Sequence, residues 1–302
     1  MIRLDRMAMR AVKTAGLPLA PWMALVKATR RVTHLGAWRR RQAAYESAFD
    51  DPAWQGFVPA DKGFRTFQAE DLPHLADAVA ACQRLADARL GANDKGRAHK
   101  PFFQNVLRPD DLAGEPDLLA AATSPAMLAI AADYLGCLPR LKAMGLYHSP
   151  VNDSTTSSQL FHFDNDDLRQ IKCFVHVWPV DSETGPFTLL PADATQRALS
   201  RLDGRTRAAR GKLTDEQVLG GGEQAVELVG PAATAAFVDT SRCLHFGSRA
   251  RGAARLVFMF QFTTWPDAVI GKGEIDTEGR PLMNFPPAAD PLLAMVLGQE
   301  NA

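Results

Sequence analysis

The run "RLVFMFQFTTW" at residues 255–265 sets the reading of this chain, because it is a long apolar strand pattern with a single charge, Arg255, at its head. Shorter runs of the same texture precede it: "RLKAMGLYHSP", "SSQLFHFD", "QIKCFVHVWPV", "GPFTLLPA", "QAVELVG" and "ATAAFVDT". All are β-branched or aromatic, and Asp, Gly, Pro and Ser clusters separate them. Strands at this spacing after Pro139, without helices between them, imply a sandwich or barrel and not a parallel α/β sheet.

Within the second run, "QLFHFDND" at 159–166 places His162 and Asp164 two positions apart. Side chains alternate across a strand, so these two share a face while Phe161 and Phe163 share the other. A third candidate, His245, follows 83 residues later in "DTSRCLHFGSRARGAARLVFMFQF". Two imidazoles and one carboxylate on one face of an octahedral metal leave open positions, the donor set of non-haem Fe(II) oxygenases. Ten residues beyond His245, Arg255 needs an anion, and a carboxylate is its best geometric match; the C5 carboxylate of 2-oxoglutarate would serve.

These segments resemble the phytanoyl-CoA dioxygenase (PhyH) family of Fe(II)/2-oxoglutarate-dependent oxygenases, over roughly residues 140–265. The resemblance implies a mainly β (α+β) fold with flanking helices around a double-stranded β-helix, the jelly roll of cupin-like proteins. It implies that His162, Asp164 and His245 bind Fe(II), that Arg255 holds 2-oxoglutarate, and that O2 is the second cosubstrate. The implied activity is a dioxygenase, a hydroxylase of a small molecule or biosynthetic intermediate, releasing succinate and CO2. Related halogenases have a small residue at the carboxylate position, whereas this chain keeps Asp164. It departs from the family at residues 191–195, "PADAT", where a "PGSH"-like turn is usual. The competing readings are a non-catalytic jelly-roll protein that binds metal or ligand, and an iron oxygenase that does not use 2-oxoglutarate.

Other residues carry weaker expectations. Tyr147 and Lys172 are assigned to the cosubstrate, Tyr147 in preference to His148 because neighbours on a strand face opposite ways. His176, Gln159, Trp178 and Gln261 are candidates for cavity walls or packing, and Asp166 has the parity to approach the metal side. Arg249 and Arg251 are expected to frame the entrance, which would favour an anionic substrate.

Before Pro139 the elements that can be read are helices. Residues 3–48 have breaks at Gly16 to Pro21 and near Gly36; a helix is expected over 69–90 and another from Asp117 to Leu135, stopped by Gly136. Residues 197–222 read as a charged insertion, part helix and part loop. The Pro/Gly-containing stretch at 49–64 marks the boundary between a basic helical N-terminal extension, 1–60, and the oxygenase domain, 61–302. Residues 1–41 hold ten basic side chains against one acidic, although the whole chain is neutral. That balance argues against nucleic acid as a partner and makes the extension a candidate for peripheral contact with an anionic membrane or a partner. Four widely spaced cysteines and the absence of a small-residue cleavage site after the apolar stretch at 15–26 lead to a cytoplasmic expectation, at the inner membrane face if the extension binds lipid.

Overall fold

The computed structural model describes residues 7–9, 11–12, 14–15, 19–49, 52–90, 97–204, 206, 211–268 and 283–299. Expectations that fall on 3–6, on Gly16 to Pro18 and on 205 and 207–210 of the insertion lie outside the described residues.

Two antiparallel sheets form the core. The larger contains β1 (Phe64–Gln68), β2 (Arg97–Lys100), β3 (Phe103–Asn105), β4 (Pro139–Ser149), β5 (Gln170–His176), β8 (Thr234–Val238) and β10 (Arg255–Thr264), in the order β1-β8-β5-β10-β4-β3-β2. The smaller has the order β7-β6-β9, from β6 (Phe187–Leu189), β7 (Val226–Leu228) and β9 (His245–Phe246). Bridges from His162 to His245 and from Phe161 to Leu213 extend the smaller sheet. From β4 onward the chain passes repeatedly between the sheets, which is the winding of a jelly roll.

β10 is central and settles which faces are buried. Leu256, Phe258, Phe260 and Phe262 are fully buried against the helices, and burying such a side chain contributes roughly 1.5–3 kcal/mol. The alternate residues Arg255, Val257 and Met259 turn into a cavity between the sheets. β5, paired with β10 from Val257–His176 to Thr263–Gln170, repeats the division: Ile171, Cys173 and Val175 join the helical core, while Lys172 and Phe174 line the cavity.

The helices that cover the outer face are α3 (Leu75–Leu90), α5 (Pro116–Thr123) and α6 (Pro125–Leu135), with the single turn α4 (Asp111–Gly114) before them. The helix expected over 69–90 starts only at Leu75, after a 3-10 turn at Ala69–Asp71, because Pro73 and the left-handed His74 (φ 64°) interrupt the backbone. The helix expected from Asp117 is two helices, since extended Ser124 caps the second and Pro125 opens it. It does stop at Gly136, whose φ of 68° suits glycine. The short strands β2 and β3 lie between the two expected helices, in a stretch for which the sequence reading assigns no element.

Towards the N-terminus, α1 (Leu19–Thr33) and α2 (Leu35–Ala48) meet at His34, near the expected break. Pro21 does not break α1, because it lies in the first turn, where no helical hydrogen bond is lost. α1 and α2 are tied to the body: Lys27 reaches Asp167, and Arg41 donates to the carbonyls of Met295, Leu138 and Pro139. Met295 belongs to α9 (Pro291–Leu297). In the insertion, α7 begins at Ala192, earlier than expected, and ends at Arg201; α8 (Asp215–Leu219) follows. Among the described residues no single helix is long and apolar enough to cross a membrane; α5 and α6 together pass on length and composition, but they are bent by 44° and sit in the core.

Candidate active site

The cavity between the sheets has a volume of about 360 Å³, and His162, Asp164, His245, Arg255, Tyr147 and Lys172 all line it. The ligating atoms of His162, Asp164 and His245 lie within 4.8 Å of one another. His162 Nε2 is 3.8 Å from Asp164 Oδ1, and His245 Nε2 is 3.6 Å from Asp164 Oδ2. The backbone bridge between His162 and His245 sets this closeness, and the pleat keeps Phe161 and Phe163 on the other face, in a core with Leu190, Leu244 and Phe246.

Each imidazole is oriented by a carbonyl. His162 Nδ1 lies 2.9 Å from Leu160 O, and His245 Nδ1 lies 2.9 Å from Cys243 O. A carbonyl only accepts, so each Nδ1 carries the proton and donates, which leaves the Nε2 lone pairs facing Asp164. Burial, with His245 beside it, pushes His162 down to about 3, so its ring is neutral at neutral pH. Desolvation alone would raise the Asp164 carboxyl, but Lys172 and the two imidazoles hold it well below the ordinary carboxylate range. A neutral His162 imidazole and an ionised Asp164 carboxylate suit a divalent ion, which needs deprotonated ligands, and the His245 Nε2 faces the same carboxylate. Phe187 stacks on the His245 ring at 5.0 Å between centroids and packs on Phe174.

Lys172 Nζ lies 2.8 Å from Asp164 Oδ2 and 3.8 Å from Asp166. Desolvation lowers the Lys172 ammonium, but the two carboxylates outweigh it and keep the pKa above its ordinary value. Asp166 also accepts from Gln261 and stands apart from the three-residue cluster.

Arg255 is buried and donates to Ser248 Oγ at 3.2 Å, while its Nε has no hydrogen-bond partner. No carboxylate among the described residues offsets its charge, and burial lowers the guanidinium to about 10. A buried cation without a counter-ion, open to a cavity, is a strong anion acceptor. Tyr147 packs on Phe103 at 4.5 Å, and its ring lies over Gly145, where an added Cβ would come within 2.5 Å of ring carbons. Burial raises the Tyr147 phenol, so its hydroxyl stays protonated.

Other expectations are corrected. Arg249 and Arg251 do not frame this cavity: Arg249 makes a two-pronged ion pair with Asp215, and Arg251 binds Asn152 O and Asp153. Of the two readings open for Gln159, Trp178 and Gln261, cavity wall or packing, the second holds. Gln159 and Gln261 are engaged by Asn152 and Asp166, and Trp178 packs edge-on to His148. His176 is buried beside Arg255 and outside the cavity lining. Conversely, Lys100, Phe103, Ser158, Phe187 and Lys212 line the cavity, and nothing in their local sequence singled them out.

No protein-family model and no curated protein matches the chain. Solved structures do. SnoK, a non-heme α-ketoglutarate dependent carbocyclase from nogalamycin biosynthesis, is 11% identical with a TM-score of 0.50, over 81% of this chain and 96% of its own. The epimerase SnoN, in complex with Fe3+, α-ketoglutarate and nogalamycin RO, is 18% identical with a TM-score of 0.48, over 83% and 97%. HygX from Streptomyces hygroscopicus, with nickel and 2-oxoglutarate bound, is 16% identical with a TM-score of 0.48, over 70% and 87%. The likeness to SnoK is one of fold, and it agrees with the jelly roll traced above.

Proposed function

We propose that the protein is an Fe(II)/2-oxoglutarate-dependent oxygenase of PhyH type that hydroxylates a small molecule. In the net reaction, substrate, 2-oxoglutarate and O2 give hydroxylated substrate, succinate and CO2. One observation carries the reading: two imidazoles and a carboxylate converge in a cavity shared with a buried guanidinium that lacks a carboxylate among the described residues. Bound iron supplies the oxygen-activating chemistry. The residues supply the rest. His162, Asp164 and His245 would hold the ion, and Arg255 would take the distal carboxylate of 2-oxoglutarate. Tyr147 would donate its hydroxyl to the cosubstrate, and Lys172, already fixed by Asp164, has further donors for a neighbouring carboxylate. Phe174 and Phe187 keep the imidazole side of the site apolar and short of water.

The test is anaerobic titration of the metal-free protein with Fe(II) and then 2-oxoglutarate, following the weak visible charge-transfer absorption. The band should require both additions and weaken in Arg255→Ala. Iron binding with no band in the wild type would leave a metal-binding protein or an oxygenase with another reductant.

The basic N-terminal region supports a second reading, peripheral contact with an anionic membrane surface on the cytoplasmic side. What favours it is the outer face of α1 and α2, where Leu25 is 67% and Val32 75% exposed and Arg31, Arg39 and Arg40 are also exposed. Co-sedimentation of the full chain with phosphatidylglycerol vesicles should fall in Leu25→Ser/Val32→Ser; equal sedimentation would reject the contact.

A further inference from the structure

The cavity holds more positive charge than the proposed metal and cosubstrate use. Lys100, Lys172, Lys212 and Arg255 line it, against Asp164 as its one lining carboxylate among the described residues. Lys172 is balanced by Asp164, and a divalent ion with a dianionic cosubstrate adds no net charge. Arg255 is also uncompensated in that count but is taken up by the distal carboxylate of the cosubstrate, whereas Lys100 has no such role. Its Nζ donates to Ser158 Oγ at 2.9 Å and its tip lies 5.6 Å from the Phe102 ring centroid, but no carboxylate among the described residues lies at ion-pair distance. Burial pulls its ammonium below the ordinary value, with Asp164 a smaller opposing influence. Lys212 stands at the exposed rim, near enough to add to the forces lowering His162. The remaining wall is apolar: Phe103 stacked on Tyr147, Phe174 against Phe187, and Val257 with Met259.

We propose that Lys100, with Ser158 and Lys212, forms an anion subsite, so that the substrate is a small, largely apolar molecule carrying a carboxylate or phosphate that docks on Lys100. The group being oxidised then lies on the apolar body, held between the Phe103–Tyr147 wall and the His-Asp-His cluster. The step assigned to it rests on the oxygenase reading; the binding preference does not.

Calorimetric titration of the full chain, kept anaerobic with Mn(II) and 2-oxoglutarate, separates the two. The probes are 2-naphthyl phosphate, 2-naphthoate and the uncharged 2-naphthol. At least one anion should bind the wild type about tenfold more tightly than the naphthol, Lys100→Met should reduce that preference to about threefold or less, and Lys100→Arg should keep most of it. The stronger anion identifies the group. Equal binding of all three probes, no binding of any, or a preference unchanged in Lys100→Met overturns the subsite. The prior addition of 2-oxoglutarate is read separately: if it gives no heat in the wild type, the oxygenase reading fails while the Lys100 preference is still measured.

Discussion

Lys27 and Asp167, 140 residues apart in sequence, form a buried ion pair with Nζ–O distances of 2.7 and 2.9 Å. Lys27 also donates to Thr264 O, and Asp167 accepts from the backbone N–H and hydroxyl of Thr264, so the pair clamps α1 to the end of β10. Arg31, Arg39 and Arg40 of the same two helices are exposed, but this lysine, like Arg41, is buried against the body.

Removing one partner strands the other. Lys27→Met should lower the unfolding free energy by roughly 3 kcal/mol, and Lys27→Met/Asp167→Asn should recover part of that loss. Urea denaturation of the two variants checks it; a single variant as stable as wild type would show that the clamp is not a structural element.

Gly145→Ala places a methyl group where the Tyr147 ring now lies. The ring must leave the cavity wall, with a stability loss of about 1–3 kcal/mol from overpacking. The KM for 2-oxoglutarate should rise more than kcat falls. Tyr147→Phe, which keeps the ring and removes the hydroxyl, separates packing from hydrogen bonding in the same assay.

Thr195 lies in the "PADAT" segment, at the start of α7. Its hydroxyl donates to Leu190 O at 3.1 Å and accepts from Leu244 N at 3.0 Å, the residue before His245. Thr195→Val leaves a buried N–H and a buried carbonyl without their partner, a loss of about 1–3 kcal/mol. Because the affected backbone carries His245, Fe(II) affinity should fall as well. Metal titration monitors the second effect, and unchanged affinity would confine Thr195 to stability.

The pH dependence of stability has a defined sign at His176. Burial, together with nearby Arg255, lowers its imidazole to about 4. Between its ordinary value and that figure the unfolded chain binds a proton that the folded chain refuses, so stability is present above about pH 6.5 and declines as pH falls towards 4. His176→Gln should flatten the decline by up to about 3 kcal/mol relative to wild type in denaturation series on metal-free protein. Parallel pH profiles for the two proteins would contradict the shift.

The jelly roll was legible because its strands carry period-two patterns that mark both faces. In β10, alternate positions go to the helical core and the cavity, and Arg255 lies on the cavity side as its place at the strand head suggested. His162 and Asp164 announced themselves as two costly polar residues on one strand face. The helical half was harder to read in detail. Pro73 and Pro125 are compatible with a helix start, so pattern alone ran helices through backbone that the fold uses for turns. Arg249 and Arg251 misled for a different reason: a cation in a loop gives no sign of which carboxylate it will meet, and Asp215 and Asp153 lie far away in sequence or on another loop. Lys100 and Phe103 stayed hidden because they reach the cavity only through edge pairing, β3 on β4 and β2 on β3.

The bridge between His162 and His245 also bears on the order in which the chain becomes stable. The two residues close a loop of more than eighty residues that contains β5, β6, β7 and β8. An ion shared by them would act as a reversible cross-link on that loop, a staple whose strength would be set by free metal concentration. Loss of the metal would loosen the smaller sheet at its midpoint before it touched the phenylalanine layer of β10, and protease nicking near the insertion would be its earliest sign.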